Sequence, residues 1–152
     1  MSAQSVRAFL AARAPDIAVI EAHASTATVA DAAAVHGVAP GQIAKTLALR
    51  IGERVVLLVA AGDARLDNAK ARAVWGGKPR MPGPEEVEAV TGHVVGGVCP
   101  FGLATPLAVF CDLSLRRHDV VIPAAGSPTT SLRITPERLA ALTDGVWVDV
   151  CR

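Results

Sequence analysis

The sequence predicts one α/β domain: a mixed β-sheet, closed partway into a barrel, with helices packed outside it. Three observations carry that expectation. Residues 43–51 and 55–61 are neighbouring strand-like segments joined by Gly52-Glu53-Arg54, which favours a hairpin-like pair. Helix-length segments with start and stop signals alternate with further β-prone runs, so hairpin and βα steps are mixed. The length of 152 residues supports one core and not two. Residues 1–152 are therefore expected to form a single domain.

The elements follow in order along the chain. Val6, Phe9, Leu10 and Arg13 recur at helical spacing before Pro15, which predicts a helix over residues 5–13. Residues 17–22 are a short β-prone run. Thr28 is a helix cap ahead of Val29, Ala32, Ala33 and Val35, and Gly37 is the stop. After Pro40-Gly41, residues 43–51 alternate strictly, and residues 55–61 are continuously apolar, as in a strand buried on both faces. Asp63 is expected to cap a helix over 64–75, ended by Gly76-Gly77. Pro82-Gly83-Pro84 opens a helix over 85–91 whose early glutamates suit the helix dipole. Strands are then expected at 93–95, 107–111 and 120–123. Thr135-Pro136-Glu137 starts a last helix, and residues 146–150 close the chain as a strand.

Composition removes several function classes. Apolar residues make up 51% and charged residues 19%, so the chain is globular. The net charge of +1 is far below that of proteins that hold nucleic acid by charge alone. An RNA partner would have to be held by a local patch and a pocket; DNA is not expected. Aromatics are 3%, with no Tyr, which argues against a base-stacking platform. Cys99, Cys111 and Cys151 are odd in number and widely spaced, so a reducing compartment is expected. The N-terminal stretch lacks a signal-type apolar run, and the longest apolar segment is too short for a bilayer. The expectation is a cytoplasmic protein with no membrane association.

Few residues stand out chemically. Lys45 shares one face of its strand with Ile43, Leu47, Leu49 and Ile51, all apolar. Such a lysine either reaches solvent past Ile43 or meets an anion in a cleft, and the pattern alone favours neither. The segment Gly96-Gly97-Val98-Cys99-Pro100-Phe101-Gly102 lets backbone approach a ligand, and its N–H groups suit an oxyanion. A tight connection between strands explains it equally well. The stretch 124–131, with Gly126 and Ser127, is small and hydroxyl-rich; it suits presenting donors to a substrate but in isolation reads first as a solvated turn. Cys99 has His93 and His118 in the same half of the chain, but spacing cannot establish a base within reach. Asp63 and Asp67 read as helix caps. The histidines and cysteines lack metal-ligand spacing, so neither a metal nor a cofactor is expected. Nucleophile-elbow, phosphate-loop and dinucleotide fingerprints are absent from the sequence.

Four stretches, taken in order, resemble the YbaK/ProX family of aminoacyl-tRNA editing deacylases, relatives of the editing domain inserted in many bacterial prolyl-tRNA synthetases. They are Gln42-Ile43-Ala44-Lys45-Thr46-Leu47, Ala61-Gly62-Asp63-Ala64-Arg65-Leu66-Asp67, residues 91–102, and Ala124-Ala125-Gly126-Ser127. The resemblance spans roughly residues 17–150. It implies a barrel-like mixed sheet flanked by helices and hydrolysis of the ester joining a wrong amino acid to the terminal ribose of tRNA. Lys45 corresponds to the family's signature lysine, and Gly96 to Pro100 to its glycine-to-proline loop. Thr46, Gly126 and Ser127 are the next pocket members that it implies.

The expected chemistry needs no protein nucleophile, because an aminoacyl ester is already activated. Water would attack, N–H groups of Gly97, Val98 and Cys99 would receive the oxyanion, and Lys45 would orient the substrate. Gly96, Pro100, Thr46, Gly126 and Ser127 would bind it. The expected partner is the 3′ end of a mischarged tRNA, for proline or a similar identity, with an aminoacyl-tRNA synthetase as a second candidate. Two other readings stand beside this one: a non-catalytic module that binds the tRNA end or a synthetase, and a thiol hydrolase using Cys99.

Overall fold

The computed structural model describes residues 2–152. Helix α1 (Ser2–Arg13) buries Val6 and Leu10, one turn apart, against the sheet. Full burial of an aliphatic side chain of this size stabilises by about 1.5–3 kcal/mol. Strand β1 (Ile20–Glu21) is short. Helix α2 (Val29–His36) begins where the Thr28 hydroxyl accepts the Asp31 N–H at 3.0 Å, and ends at Gly37 in the left-handed region. A 3₁₀ turn over Pro40–Gln42 leads into β2 (Ile43–Ile51), which turns back as β3 (Arg54–Ala61). Helices α3 (Asn68–Trp75) and α4 (Pro84–Thr91) follow, then β4 (Val109–Asp112), a 3₁₀ turn over Leu113–Arg117, and β5 (Ile122–Pro123). Strand β6 (Thr130–Ser131), helix α5 (Pro136–Thr143) and β7 (Val146–Val148) complete the chain.

The main sheet has the order β5-β2-β3-β4-β7. Only the β2–β3 pair is antiparallel; β5, β4 and β7 all join in parallel. The sheet is therefore mixed, as expected, and β3 at its centre is buried on both faces. Leu57 and Val59 point into a layer with Val6, Leu10 and Phe101. Val56, Leu58 and Ala60 point into the opposite layer with Leu49 and Trp75. Strands β1 and β6 form a separate antiparallel ribbon, tied to the β5 side by bridges from Ser131 to Ala124 and from Ile134 to Val121. The ladders thus define an open five-stranded sheet with a bridged ribbon; no ladder among the described residues closes it into a barrel.

Three local expectations are corrected. Helix α3 starts at Asn68, and Asp67, not Asp63, caps it by accepting the Lys70 N–H at 3.1 Å. Residues 65–67 are held extended by the C-terminal segment: Arg65 and Arg152 exchange two hydrogen bonds, and the Asp67 N–H is donated to Val150. Residues 93–95 form no strand but enter a turn closed by the Gly97 N–H on the Val94 carbonyl at 2.9 Å. The hydroxyl-rich stretch, read first as a solvated turn, contributes Thr130 and Ser131 to β6. The strands expected at 107–111, 120–123 and 146–150 are present with shifted or shortened ends.

Candidate active site

Alternation along β2 places Lys45 on the face of Leu47, Leu49 and Ile51, opposite Ala60 of β3. Its ammonium neither runs out past Ile43 nor meets a carboxylate. It donates to the carbonyl oxygens of Gly62, at 3.3 Å, and Ala64, just beyond the end of β3. Gly62 is required there, because a Cβ would lie 2.2 Å from the Pro40 carbonyl oxygen. The chain can bring the Gly62 carbonyl under the lysine only without a side chain at that position.

The glycine-bearing loop is anchored from behind by His93, which is fully buried. One ring nitrogen, Nε2, lies 2.7 Å from the Phe101 carbonyl oxygen, and the other, Nδ1, 2.6 Å from the Ser2 hydroxyl of α1. Burial holds this imidazole below its ordinary pKa, against the opposing pull of the Phe101 carbonyl. Gly97 presses onto the second loop: its carbonyl accepts the Gly126 N–H at 3.1 Å, and a Cβ would sit 2.5 Å from the Ser127 nitrogen. Cys99 Sγ is 3.5 Å from His93 Nε2, yet it is fully buried, and burial pushes its thiol up to about 12. A thiol in that state supplies no thiolate near neutral pH.

Between these parts lies a cavity of about 450 Å³ that wraps around the outer edge of β2. Residues Thr26 to Val29, at the start of α2, form one wall; Met81, Pro82, Pro84 and Val87, around the start of α4, form another. Lys45, Thr46, Gly96 and Val98 all line it. Most of the lining is apolar, and no Asp or Glu takes part. The Thr46 hydroxyl oxygen is buried with no hydrogen-bond partner among the described residues. A polar atom left in that condition is rare in a folded protein unless a ligand or water completes it.

The expected site residues thus divide into two groups. Lys45, Thr46, Gly96 and Val98 share the cavity wall. Gly97, Cys99, Pro100 and Gly126 are buried behind it, and the Ser127 hydroxyl is paired with Thr130 Oγ1 at 2.8 Å. The Gly97 N–H is committed to Val94, so it cannot also receive an oxyanion in this conformation. Ser131, from the hydroxyl-rich stretch 124–131, also lines the wall, but sequence reasoning does not single out Thr26, Met81 or Val87, which complete it. Only the fold brings them there, and their residue types carry no chemical signature.

A second cleft, lined by Arg50, Gly52, Lys78 and Arg80, lies next along the same strand. Arg80 is joined to Arg50 by two backbone hydrogen bonds, and its neighbour Met81 belongs to the cavity wall. Arg50 is paired with Glu86, leaving Lys78 and Arg80 without an ion-pair partner among the described residues. Among those residues, no group of His, Cys, Asp or Glu could hold a metal ion, and no helix is long and apolar enough to cross a membrane.

Fold and cavity together define an α/β domain with a largely apolar cavity beside a lysine and a glycine-bearing loop. The chain belongs to the aminoacyl-tRNA editing domain family, whose model matches residues 23–142. It is 46% identical over 154 residues to the uncharacterized protein YwhH of Bacillus subtilis (strain 168), covering 100% of this chain and 98% of that one. It is 29% identical over 133 residues to a protein of Enterococcus faecalis (strain ATCC 700802 / V583) named "Putative Cys-tRNA(Pro)/Cys-tRNA(Cys) deacylase EbsC", covering 86% and 79%. Among solved structures, a "putative trans-editing enzyme for prolyl tRNA synthetase" superposes with a TM-score of 0.91 at 38% identity, covering 99% of this chain and 97% of that one. Hypothetical protein APE2540 superposes at 0.89 with 30% identity, covering 97% and 99%. The YbaK-type resemblance and the α/β mixed-sheet fold are thereby established.

Proposed function

We propose that this chain is a trans-acting deacylase that hydrolyses the ester between a small, wrongly attached amino acid and the 3′ end of a tRNA, of proline or similar identity. The observation that carries this reading is the shared cavity wall, which sets Lys45 and Thr46 of β2 opposite the Gly96 and Val98 loop. Its volume of about 450 Å³ falls within the range of small-ligand sites. The apolar lining, free of carboxylates, suits a short uncharged side chain. The names of the relatives point the same way, toward cysteine on tRNA for proline or for cysteine and toward service to a prolyl synthetase.

Water is the nucleophile in this scheme. Lys45, fixed on Gly62 and Ala64, stands beside the acyl group and orients the ribose end. The Val98 segment of the loop faces the developing oxyanion, while Gly97, Cys99, Pro100, Gly126 and Ser127 hold that segment in place from behind. The adjoining Arg50, Lys78 and Arg80 cleft offers cations to the phosphates of the acceptor end. A local patch of this kind reconciles an RNA substrate with a net charge of only +1. Burial of Cys99 weighs against the thiol-hydrolase alternative.

The decisive experiment is a deacylation panel over tRNAs charged with cysteine, alanine, serine and threonine. Release of free amino acid from at least one of them is expected. Protection of the ester without release would instead identify a non-catalytic binder of the tRNA end.

A further inference from the structure

The outer edge of β2 is bare where it meets the cavity, in the sense that its main-chain groups have nothing to bond. Arg50 both donates to and accepts from Arg80, at 2.8 and 2.9 Å, on the side away from β3. Ile43 gives its carbonyl to Gly62 on the β3 side, at 2.7 Å. Peptide direction alternates along an antiparallel strand, so the even-numbered residues of β2 turn both N–H and C=O outward. Strand β5 covers Ala44 and Arg80 covers Arg50. Thr46 and Ala48, between them, face outward into the cavity with no backbone partner among the described residues. The buried, unpartnered Thr46 hydroxyl belongs to the same stretch. Sheltered peptide groups are almost always paired, so this edge calls for an occupant.

Geometry restricts what that occupant can be. With β5 at one end and Arg80 at the other, the opening is two outward-facing residues long. An extended strand longer than about three residues, or a second copy of the sheet, does not fit, whereas a single amino-acid unit does. The wall also lacks any carboxylate to receive an α-ammonium, so its acceptors are hydroxyl oxygens and the main-chain oxygens of the bare edge.

We propose that the open edge of β2 seats the aminoacyl group itself as a strand one residue long. Its α-ammonium donates to an outward carbonyl oxygen of Thr46 or Ala48, and its acyl carbonyl accepts an outward N–H from the same pair while the Val98 segment faces the same oxygen from across the cavity as charge develops on it. This assignment rests on the deacylase reading and deepens it: recognition of the invariant part of the amino acid falls to the main chain. The side chain of the amino acid is then judged separately by the apolar walls on either side of the strand.

The test uses two non-hydrolysable probes on the wild-type protein: adenosine carrying alanine through a 3′-amide, and the same compound with the α-ammonium replaced by hydroxyl. The alanyl probe is expected to bind about tenfold or more tightly than the hydroxyacyl probe, which cannot make the charge-assisted hydrogen bonds. It should also shift the Thr46 and Ala48 amide resonances and slow their hydrogen exchange. Equal affinity for the two probes, binding of neither, or binding that leaves both amides unmoved would overturn the assignment. Turnover of mischarged tRNA, measured in parallel, tests the deacylase reading on its own: turnover with unmoved amides sinks the edge and keeps the deacylase, and binding at the edge without turnover does the reverse.

Discussion

Lys45 donates to the carbonyl oxygen of Gly62 at 3.3 Å, and the Gly62 N–H in turn closes the end of the β2–β3 pair on Ile43 at 2.7 Å. The lysine is thereby fixed to the last rung of the hairpin, and its charge has a defined position before any substrate arrives. Lys45→Ala should lower single-turnover deacylation by about a hundredfold or more, the usual scale for losing an orienting group. Far-UV dichroism and the melting temperature should change little. Wild-type turnover in the variant would remove Lys45 from the chemistry.

Cys99 is expected to be dispensable for the reaction. Its thiol is buried, pushed up to about 12, and absent from the cavity wall. Cys99→Ala should retain deacylation within about threefold of wild type, with a stability cost of about 1 kcal/mol for the lost sulfur. Loss of turnover in a folded variant would restore the thiol mechanism.

Gly97→Ala should be more damaging than an ordinary loop substitution. The added methyl would lie 2.5 Å from the Ser127 backbone nitrogen, where no flexible side chain can yield. Overpacking of this kind costs about 1–3 kcal/mol. A lowered melting temperature together with lost activity is the expected pair of results; a variant as stable as wild type would mean that the two loops separate freely.

Reversing charge at Lys78 and Arg80 should weaken tRNA binding more than it slows chemistry. KM should rise with kcat nearly unchanged, and the slope of log affinity against log salt should flatten by about one for each phosphate no longer neutralised. A salt dependence identical to wild type would exclude this cleft from the tRNA path.

Asp112 predicts the behaviour of the fold in acid. Burial works to raise its pKa, but N–H donors of Val150 and Ser114, each at 2.9 Å, outweigh burial and leave the carboxyl below its ordinary range. Because the folded value is depressed, its contribution is complete above about pH 3.9, the ordinary aspartate value, and is lost as pH falls through the lower folded value. Asp112→Asn should therefore lower the melting temperature at pH 7 and narrow the difference from wild type in strong acid. A gap that stays constant across that range would contradict the assignment.

Much of this architecture is legible in the sequence because local signals agree with the fold. Thr28 and Thr135 each cap the helix that follows, and the uninterrupted apolar run of β3 marks the central strand. The start of α3 is not legible in this way, because Asp63 and Asp67 look alike as caps. Only the distant residues 150–152, which hold 65–67 extended, decide between them. The glycine-rich loop stands out for its backbone freedom, yet Gly97 serves by fitting against Ser127 and not by offering its N–H. Alternation places Lys45 on an apolar face but cannot reveal its carbonyl partners, which come from the turn after the neighbouring strand. Beyond Lys45, Thr46, Gly96, Val98 and the 124–131 stretch, the cavity wall is not legible in the sequence, since much of it consists of alanines, valines and prolines remote from one another along the chain.

An uncapped strand edge is ordinarily an invitation to sheet-to-sheet association and fibril growth. In this molecule β5 and the Arg50–Arg80 bridge act as stoppers on either side of the short gap along β2. This gap can therefore keep unpaired main chain on display without itself seeding sheet growth, because a strand long enough to polymerise is too long to enter.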